Sequence, residues 1–99
     1  MKSTRTQYRE KNEEGLRYFE NKDYDKAIVY YDKALALNPN YQVAFKNKAD
    51  ALFAKREFEQ ALACYQKVRF TSNEWGELGN DFFKVNFWDG AIACYDQAI

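Results

Sequence analysis

The amino-acid sequence predicts an all-α fold of stacked antiparallel helical hairpins, and its internal repeat is the strongest reason. One pattern recurs three times: a small residue, then a large apolar or aromatic residue at +3, an alanine at +12 and a tyrosine at +16. The small residue moves by 34 positions at the first step and by 30 at the second. A period of this length is typical of repeat arrays, in which each hairpin buries its apolar face against its neighbours. The repeated positions are Gly15, Tyr18, Ala27 and Tyr31; Ala49, Leu52, Ala61 and Tyr65; and Gly79, Phe82, Ala91 and Tyr95.

Composition is the second reason, and it also limits the classes of function. The chain has 99 residues, which suit one small domain, and it has only one proline and four glycines, too few for an all-β chain with many tight turns. Lys+Arg and Asp+Glu both number 15, so the net charge provides no overall field that would attract nucleic acid or an anionic membrane. We therefore expect neither as a partner.

The first repeat predicts two helices joined by a short polar turn. The first helix is expected over residues 6–21, with a threonine hydroxyl at position 4 or 6 as its cap. The second is expected over residues 24–37, because Asp23 suits the positive end of a helix dipole and Pro39 stops the helix. The later helices are expected over residues 40–55, 57–69, 73–85 and from Phe87 onward.

The shorter second period predicts a local change between the second and third repeats. The distance from the small residue to the repeated alanine stays at 12 positions in every repeat, so the four missing residues lie between Val68 and Trp75. Four residues are about one helical turn. The fourth helix should therefore be one turn short, with a tight link to the fifth. Thr71-Ser72 provides the cap of the fifth helix, and Glu74 falls close to the position of a capping-box acid.

The two cysteines, Cys64 and Cys94, occupy equivalent positions in the second and third repeats. Stacked equivalents are expected to lie beyond the ~7 Å Cα separation that a disulfide requires, so we interpret both as small buried thiols in a reducing compartment. No apolar run approaches the ~18 residues that a membrane span needs, and the first residues contain no apolar core of a signal peptide. A cytoplasmic location is expected.

At the repeated positions the chain resembles the tetratricopeptide repeat family, whose pattern is W-x2-L-G-x2-Y followed by A-x3-F, A and P. The resemblance extends from about residue 8 to the end. It implies an α-solenoid and one domain over residues 1–99, with repeats over about 8–41, 42–71 and 72–99, the last incomplete. The matching residues are Gly15, Tyr18, Ala27, Tyr31, Ala34 and Pro39; Ala49, Leu52, Ala61, Tyr65 and Val68; and Trp75, Leu78, Gly79, Phe82, Ala91, Tyr95 and Ala98.

The residue types predict no catalytic chemistry. The sequence has no histidine, which removes histidine bases, histidine metal ligands and histidine-containing triads. The two cysteines lie 30 residues apart and do not form a zinc motif, and no glycine-rich phosphate loop is present. We therefore expect a protein that is not an enzyme and that uses no metal or cofactor.

In the resembled family, the first helix of each repeat lines a concave groove that binds peptides. Phe19, Phe53 and Phe83 form an aromatic row there, which could grip apolar side chains of a ligand or could instead pack between the first helices. Both interpretations remain open. The predicted groove residues are Asn12, Leu16, Phe19, Lys46, Asn47, Asp50, Phe53, Asn80, Phe83 and Lys84.

One subfamily, co-chaperone repeats that bind acidic C-termini of heat-shock chaperones, uses a clamp of cations and asparagines around two carboxylates. The corresponding positions here hold Asn12, Leu16, Asn47, Asn73 and Glu77, and only Asn47 matches. Charge-assisted hydrogen bonds to carboxylates need the missing cations. The sequence therefore argues against a carboxylate clamp.

The resemblance implies that this chain binds a peptide or partner protein in its groove. Two alternatives are left open: a module that assembles with further copies of itself, and an engineered or excised fragment without its own ligand. The last hairpin favours the first alternative, because no polar capping helix follows it. The residues predicted to form a self-association edge, and thus a possible homodimer, are Trp88, Ile92, Tyr95 and Ile99.

Overall fold

The computed structural model describes all residues from Met1 to Ile99 and contains six α-helices and no strand. The predicted all-α fold of helical hairpins is confirmed. Each pair of helices, α1 with α2, α3 with α4 and α5 with α6, is joined by three residues. The helices are α1 (Thr4–Glu20), α2 (Tyr24–Leu37), α3 (Gln42–Ala54), α4 (Phe58–Tyr65), α5 (Ser72–Lys84) and α6 (Trp88–Ala98).

Contacts within the chain group into two compact units, Met1–Val68 and Arg69–Ile99. In the first unit α1 packs on α2, α2 on α3 and α3 on α4, while in the second unit α5 packs on α6. The predicted division into one domain with three repeats stays a prediction. The core of the first unit contains Ala27, Tyr31, Ala34, Ala44, Ala49, Ala51, Leu52, Ala61 and Tyr65, and that of the second contains Trp75, Leu78, Phe82, Ala91 and Cys94.

The repeated small residues are required because the repeated tyrosines lie directly against them. A Cβ atom at Gly15 would be 2.5 Å from Cε1 of Tyr31, and one at Gly79 would be 2.6 Å from Cδ1 of Tyr95. Real side chains do not approach so closely, so the helices of these hairpins pack at a distance that only a glycine allows. Gly76, which is not at a repeated position, would place a Cβ in open space.

The turn inside each hairpin has the same backbone geometry. Lys22, Arg56 and Asn86 have φ values of 62°, 65° and 65°, in the left-handed region. In the first turn the Lys22 N–H donates to the Phe19 carbonyl and the Asp23 N–H donates to the Tyr18 carbonyl, and the other two turns repeat this pair of bonds. This is a Schellman motif, which ends a helix by satisfying its last carbonyl groups. It reverses the chain within three residues without a glycine or proline.

The predicted helix caps are right for α2 and α5 and shifted for α1. Ser3, rather than a threonine, caps α1: its hydroxyl accepts from the Thr6 N–H. Asp23 caps α2, and Thr71 with Glu74 forms a complete capping box on α5. The shift at Ser3 follows from α1 beginning two residues earlier than predicted.

The fourth helix is short, as predicted, but the link after it is not tight. α4 has 8 residues where α2 has 14. After Tyr65 the chain tightens into turns, in which the Lys67 and Val68 N–H groups donate to carbonyls three residues earlier. Six residues, 66–71, therefore connect α4 to α5, whereas four connect α2 to α3. The prediction of a tight link is wrong because α4 is six residues shorter than α2: four of these residues are absent from the sequence, and the other two lengthen the link.

Candidate functional site

In the first unit, α1 and α3 together present a surface formed by their predicted groove residues. We call it the α1/α3 surface; it comprises Asn12, Leu16, Phe19, Lys46, Asn47, Asp50 and Phe53. Its α1 members recur at +4 and +7, which places them on one side of the helix. The Nδ2 of Asn47 donates to the Oδ1 of Asn12 over 2.9 Å, so the two helices are joined at this surface.

Asn12 lies deeper than a ligand-contacting side chain would. It is 4% exposed and is the one buried polar residue of the core. Burial of an amide is tolerated because the hydrogen bond from Asn47 compensates for lost water. The sequence predicts that Asn12 supplies a polar contact to a ligand. In the structure, its Oδ1 already accepts a hydrogen bond from Asn47.

Asp50 is held in place by a neighbour on each side. The hydroxyl of Tyr65 on α4 donates to its Oδ1, and the Nζ of Lys46, one turn earlier on α3, donates to its Oδ2 over 3.1 Å. The Asp50 side chain is 34% exposed and that of Lys46 is 50% exposed. A fixed carboxylate and an accessible ammonium group are thus presented side by side.

The hydrogen bond from the tyrosine hydroxyl to a side chain on the first helix of its hairpin recurs in the third hairpin and is absent from the first. In the third, the Tyr95 hydroxyl donates to Oδ1 of Asn80. In the first, the equivalent of Asp50 and Asn80 is Leu16, and the Tyr31 hydroxyl is buried without a hydrogen-bond partner. Burial, helped by the charges of Asp50 and Glu20, raises the pKa of Tyr31 to about 12.

Sequence reasoning missed that these tyrosines hold the groove residues. A signal was available, because the tyrosine follows its partner by 15 residues in both hairpins. That spacing crosses a turn, so helical periodicity alone does not reveal it.

Each phenylalanine of the predicted row packs against the aromatic residue that opens the next helix. The ring centroids of Phe19 and Tyr24 are 5.3 Å apart and edge-on, and the pairs Phe53–Phe58 and Phe83–Trp88 repeat this at 5.0 Å. Phe19 and Phe53 are half-buried, whereas Phe83 is 54% exposed. The rings therefore brace their own hairpin turns and keep part of their surface accessible. Lys84, beside Phe83 at the end of α5, is exposed.

The predicted self-association edge lies exposed on the last helix. Trp88 is 50% exposed, Ile92 57%, Tyr95 36% and Ile99 102%. The first three, spaced by four and three residues, lie on one stripe of α6, and Ile99 directly follows the end of this helix.

Other chemical features are sparse. Both cysteines are free, and burial raises the pKa of the Cys64 thiol and raises that of Cys94 to about 11, so neither favours a thiolate at neutral pH. No group of three or more cysteine, aspartate or glutamate side chains is placed to hold a metal ion. None of the six helices has the length and apolar character needed to cross a membrane.

The sequence of the chain is similar to one protein family and to several known proteins. The family model described as Tetratricopeptide repeat matches residues 18–75. The chain is 28% identical to the Protein STIP1 homolog of Dictyostelium discoideum over 95% of its own length and 19% of that protein. It is 39% identical to Hsp70-Hsp90 organizing protein 1 of Arabidopsis thaliana over 80% of its length and 13% of that protein. It thus spans less than a fifth of each of these two relatives.

A solved structure shares the fold over nearly the whole chain. The N-terminal domain of stress-induced protein-1 from C. elegans superposes with a TM-score of 0.80, covering 99% of this chain and 86% of that domain at 22% identity. The similarity supports an all-helical repeat architecture.

Proposed function

The chain belongs to the tetratricopeptide repeat family, and on that premise we propose that it binds an extended segment of a partner protein through the α1/α3 surface. The family and its neighbours here are non-catalytic interaction modules, which agrees with the predicted class of function. We extend this to the chain itself, which we propose has no catalytic role. A reducing, cytoplasmic location fits its two free thiols.

The observation that supports this proposal most directly is the mixed character of the α1/α3 surface. Leu16, Phe19 and Phe53 are half-buried, so apolar area remains for a ligand. Next to them, Lys46 and Asp50 offer a cation and a carboxylate held by hydrogen bonds within the unit. Peptide-binding surfaces combine such apolar anchors with a few fixed polar groups. The predicted groove residues of the second unit, Asn80, Phe83 and Lys84, stay predictions.

We propose that recognition does not depend on a terminal carboxylate of the ligand. The Arabidopsis relative is by name an organizing protein of Hsp70 and Hsp90, which makes chaperone segments reasonable partners to test. At the α1/α3 surface, however, Asn12 and Leu16 stand where a clamp would place a lysine and an asparagine. Asn12 and Asn47 are hydrogen-bonded to each other. The one cation of this surface, Lys46, is already paired with Asp50, so little charge-assisted gain remains for a terminal carboxylate of the ligand.

The experiment is a selection of short peptides from a random display library against the whole chain. We expect the selected peptides to carry apolar or aromatic side chains and to bind equally well with a free or an amidated C-terminus. Replacing Phe53 with alanine should weaken a selected peptide about tenfold, as removal of an apolar anchor does.

Val29 provides a matched control, because it is an apolar residue, 50% exposed, on α2 rather than on this surface. Val29→Ala should leave peptide affinity unchanged. Equal loss in both variants, or binding by the folded Phe53→Ala protein at full strength, would assign Phe53 to packing alone. Selected peptides that all require a free C-terminal carboxylate would overturn the proposal that recognition does not depend on this group.

A possible homodimer through the predicted self-association edge of Trp88, Ile92, Tyr95 and Ile99 is the second candidate. Its support is the exposure of three large apolar side chains on one face of α6 and of Ile99 directly after it, since contiguous apolar patches usually mark interfaces. Sedimentation at rising concentration should reveal a dimer, which Ile92→Asp should dissociate. A sample that remains monomeric at every concentration would reject this association.

A further inference from the structure

One side of the first hairpin carries two stacked tyrosines surrounded by lysines, outside the α1/α3 surface. The rings of Tyr18 on α1 and Tyr30 on α2 stack with centroids 5.2 Å apart and planes at 21°. The Nζ of Lys33 lies 4.4 Å from the Tyr30 centroid, that of Lys11 5.8 Å from it, and that of Lys26 5.6 Å from the Tyr18 centroid. We call these five residues the tyrosine–lysine face.

The charges of α2 are sorted into two stripes, and only one stripe is neutralised. Asp25 and Asp32 lie seven residues apart, which is about two turns. Asp25 pairs with Lys55 at 2.6 Å and Asp32 pairs with Lys48 at 2.7 Å, so both carboxylates are used within the first unit. The two lysines of the face on α2 directly follow these aspartates in the sequence, and neither forms an ion pair. The positive stripe is therefore free to receive an anion.

Little negative charge balances the face from α1. Glu14 is 3.9 Å from Lys11, at the long end of an ion pair. Arg17 is exposed and adds a further cation; with Glu14, Tyr18 and Asn21 it lines a surface cleft of about 370 Å³. The surroundings of the two rings thus carry an excess of positive charge on a chain whose net charge is zero.

The face is not a requirement of the repeat scaffold, since the other hairpins do without it. The positions equivalent to Tyr30 are cysteines, and those equivalent to Lys26 are glutamine and glycine. Both other hairpins nevertheless form the same two-helix unit. The equivalent residues are Cys64 and Cys94 for Tyr30, Gln60 and Gly90 for Lys26, and Lys67 and Gln97 for Lys33.

The geometry also distinguishes between classes of anionic partner. Nucleic acid bases bind aromatic side chains through an open ring face. Here the ring faces are taken by the neighbouring tyrosine and by ammonium groups, so only the ring edges and the outer sides of the lysines are available. Carboxylates can reach those ammonium groups directly.

We infer that the tyrosine–lysine face is a second docking surface, which binds an acidic, extended segment of a partner protein. Carboxylates of the segment pair with Lys26 and Lys33, and its apolar side chains lie against the edges of Tyr18 and Tyr30. The contacts of their ammonium groups with the rings hold these lysines in place before binding. The segment bound here differs from the one at the α1/α3 surface, which recognises apolar side chains.

Fluorescence anisotropy tests this with the whole chain and a labelled peptide of alternating glutamate and leucine. The peptide should bind, and affinity should fall as salt is added. The double variant Lys26→Gln/Lys33→Gln should weaken binding about tenfold. Lys67→Gln is the matched control, because Lys67 occupies the equivalent position in the second hairpin, and it should leave binding unchanged. Phe53→Ala should leave the salt-dependent part of the binding unchanged, because the α1/α3 surface is proposed to recognise apolar side chains and not the glutamates.

Three results would overturn the inference. A peptide with glutamine in place of glutamate could bind equally well, which would remove the role of charge. Lys67→Gln could weaken binding as much as the double variant, which would reduce the effect to general electrostatics. An oligothymidylate of the same charge could bind more tightly than the acidic peptide and lose affinity in the double variant, which would assign the face to nucleic acid. Circular dichroism of every variant establishes that each is folded.

Discussion

Replacing Phe82 with alanine should lower the free energy of unfolding by about 3–5 kcal/mol. Phe82 is completely buried between α5 and α6. Its ring meets that of Phe87 edge-on at 5.4 Å, and its Cγ would lie 3.3 Å from a Cβ at Gly90, so the glycine backbone packs against it. Removing the ring leaves a cavity between the two helices that form the second unit. Urea denaturation followed by circular dichroism measures the loss.

The neighbouring Phe83 is the matched control. It is 54% exposed and makes an edge-on contact with Trp88 at 5.0 Å. Because most of its ring surface is already in water, Phe83→Ala should cost about 1 kcal/mol or less. Equal losses at the two positions would mean that the ring of Phe82 is not the one that joins the helices.

The sequence predicts most of this fold because the fold repeats. The recurrence of Gly15 at Ala49 and Gly79 sets the number of hairpins, and the constant spacing to the next alanine sets the length of each turn. The missing residues before Trp75 locate the short α4. These features depend on local periodicity, which a sequence displays directly. The exact end of α4, which leaves a link of six residues and not a tight one, depends on local hydrogen bonds that periodicity does not specify.

The candidate site was less predictable, because its contacts join residues from different helices. The row of Phe19, Phe53 and Phe83 was recognised, but its edge-on packing against the following helix decides how much ring remains accessible. The burial of Asn12 depends on Asn47, 35 residues later. Left-handed backbone at Lys22 had no sequence signal, since the residue itself is neither glycine nor asparagine, and the asparagine of that turn, Asn21, lies one position earlier.

Removing the hydroxyl of Tyr65 should destabilise the protein, and removing that of Tyr31 should not. Tyr65→Phe leaves Asp50 without the donor that α4 provides, which should cost about 1–3 kcal/mol. Tyr31→Phe removes a buried hydroxyl that has no partner, so the free energy of unfolding should stay the same or rise by up to about 1 kcal/mol. Tyr31 is 0% exposed and Tyr65 is 5% exposed. The two variants therefore differ mainly in whether the lost hydroxyl had a hydrogen-bond acceptor.

Alkaline pH gives an independent measurement of the Tyr31 hydroxyl. Its pKa is about 12 in the folded chain, above the usual 10 of an unfolded tyrosine. Between these values the unfolded chain has lost the proton and the folded chain retains it, so stability present below pH 10 is lost as pH rises towards 12. Tyr31→Phe lacks this loss. Its advantage over the wild type should therefore grow across that interval, and a constant difference would contradict the raised pKa.

The replacement Leu16→Asn tests whether the missing acceptor is the cause. Leu16 occupies the position that Asp50 and Asn80 hold in the other hairpins, where each accepts from its tyrosine. An asparagine there should accept from Tyr31, at the cost of half-buried apolar area. The net change in stability combines both effects, so the informative quantity is the coupling in a double-mutant cycle with Tyr31→Phe. We expect Leu16→Asn to be about 1 kcal/mol more favourable with Tyr31 present than with phenylalanine. Zero coupling would mean that the tyrosine hydroxyl cannot reach that position in the first hairpin, and that Leu16 is there for packing alone.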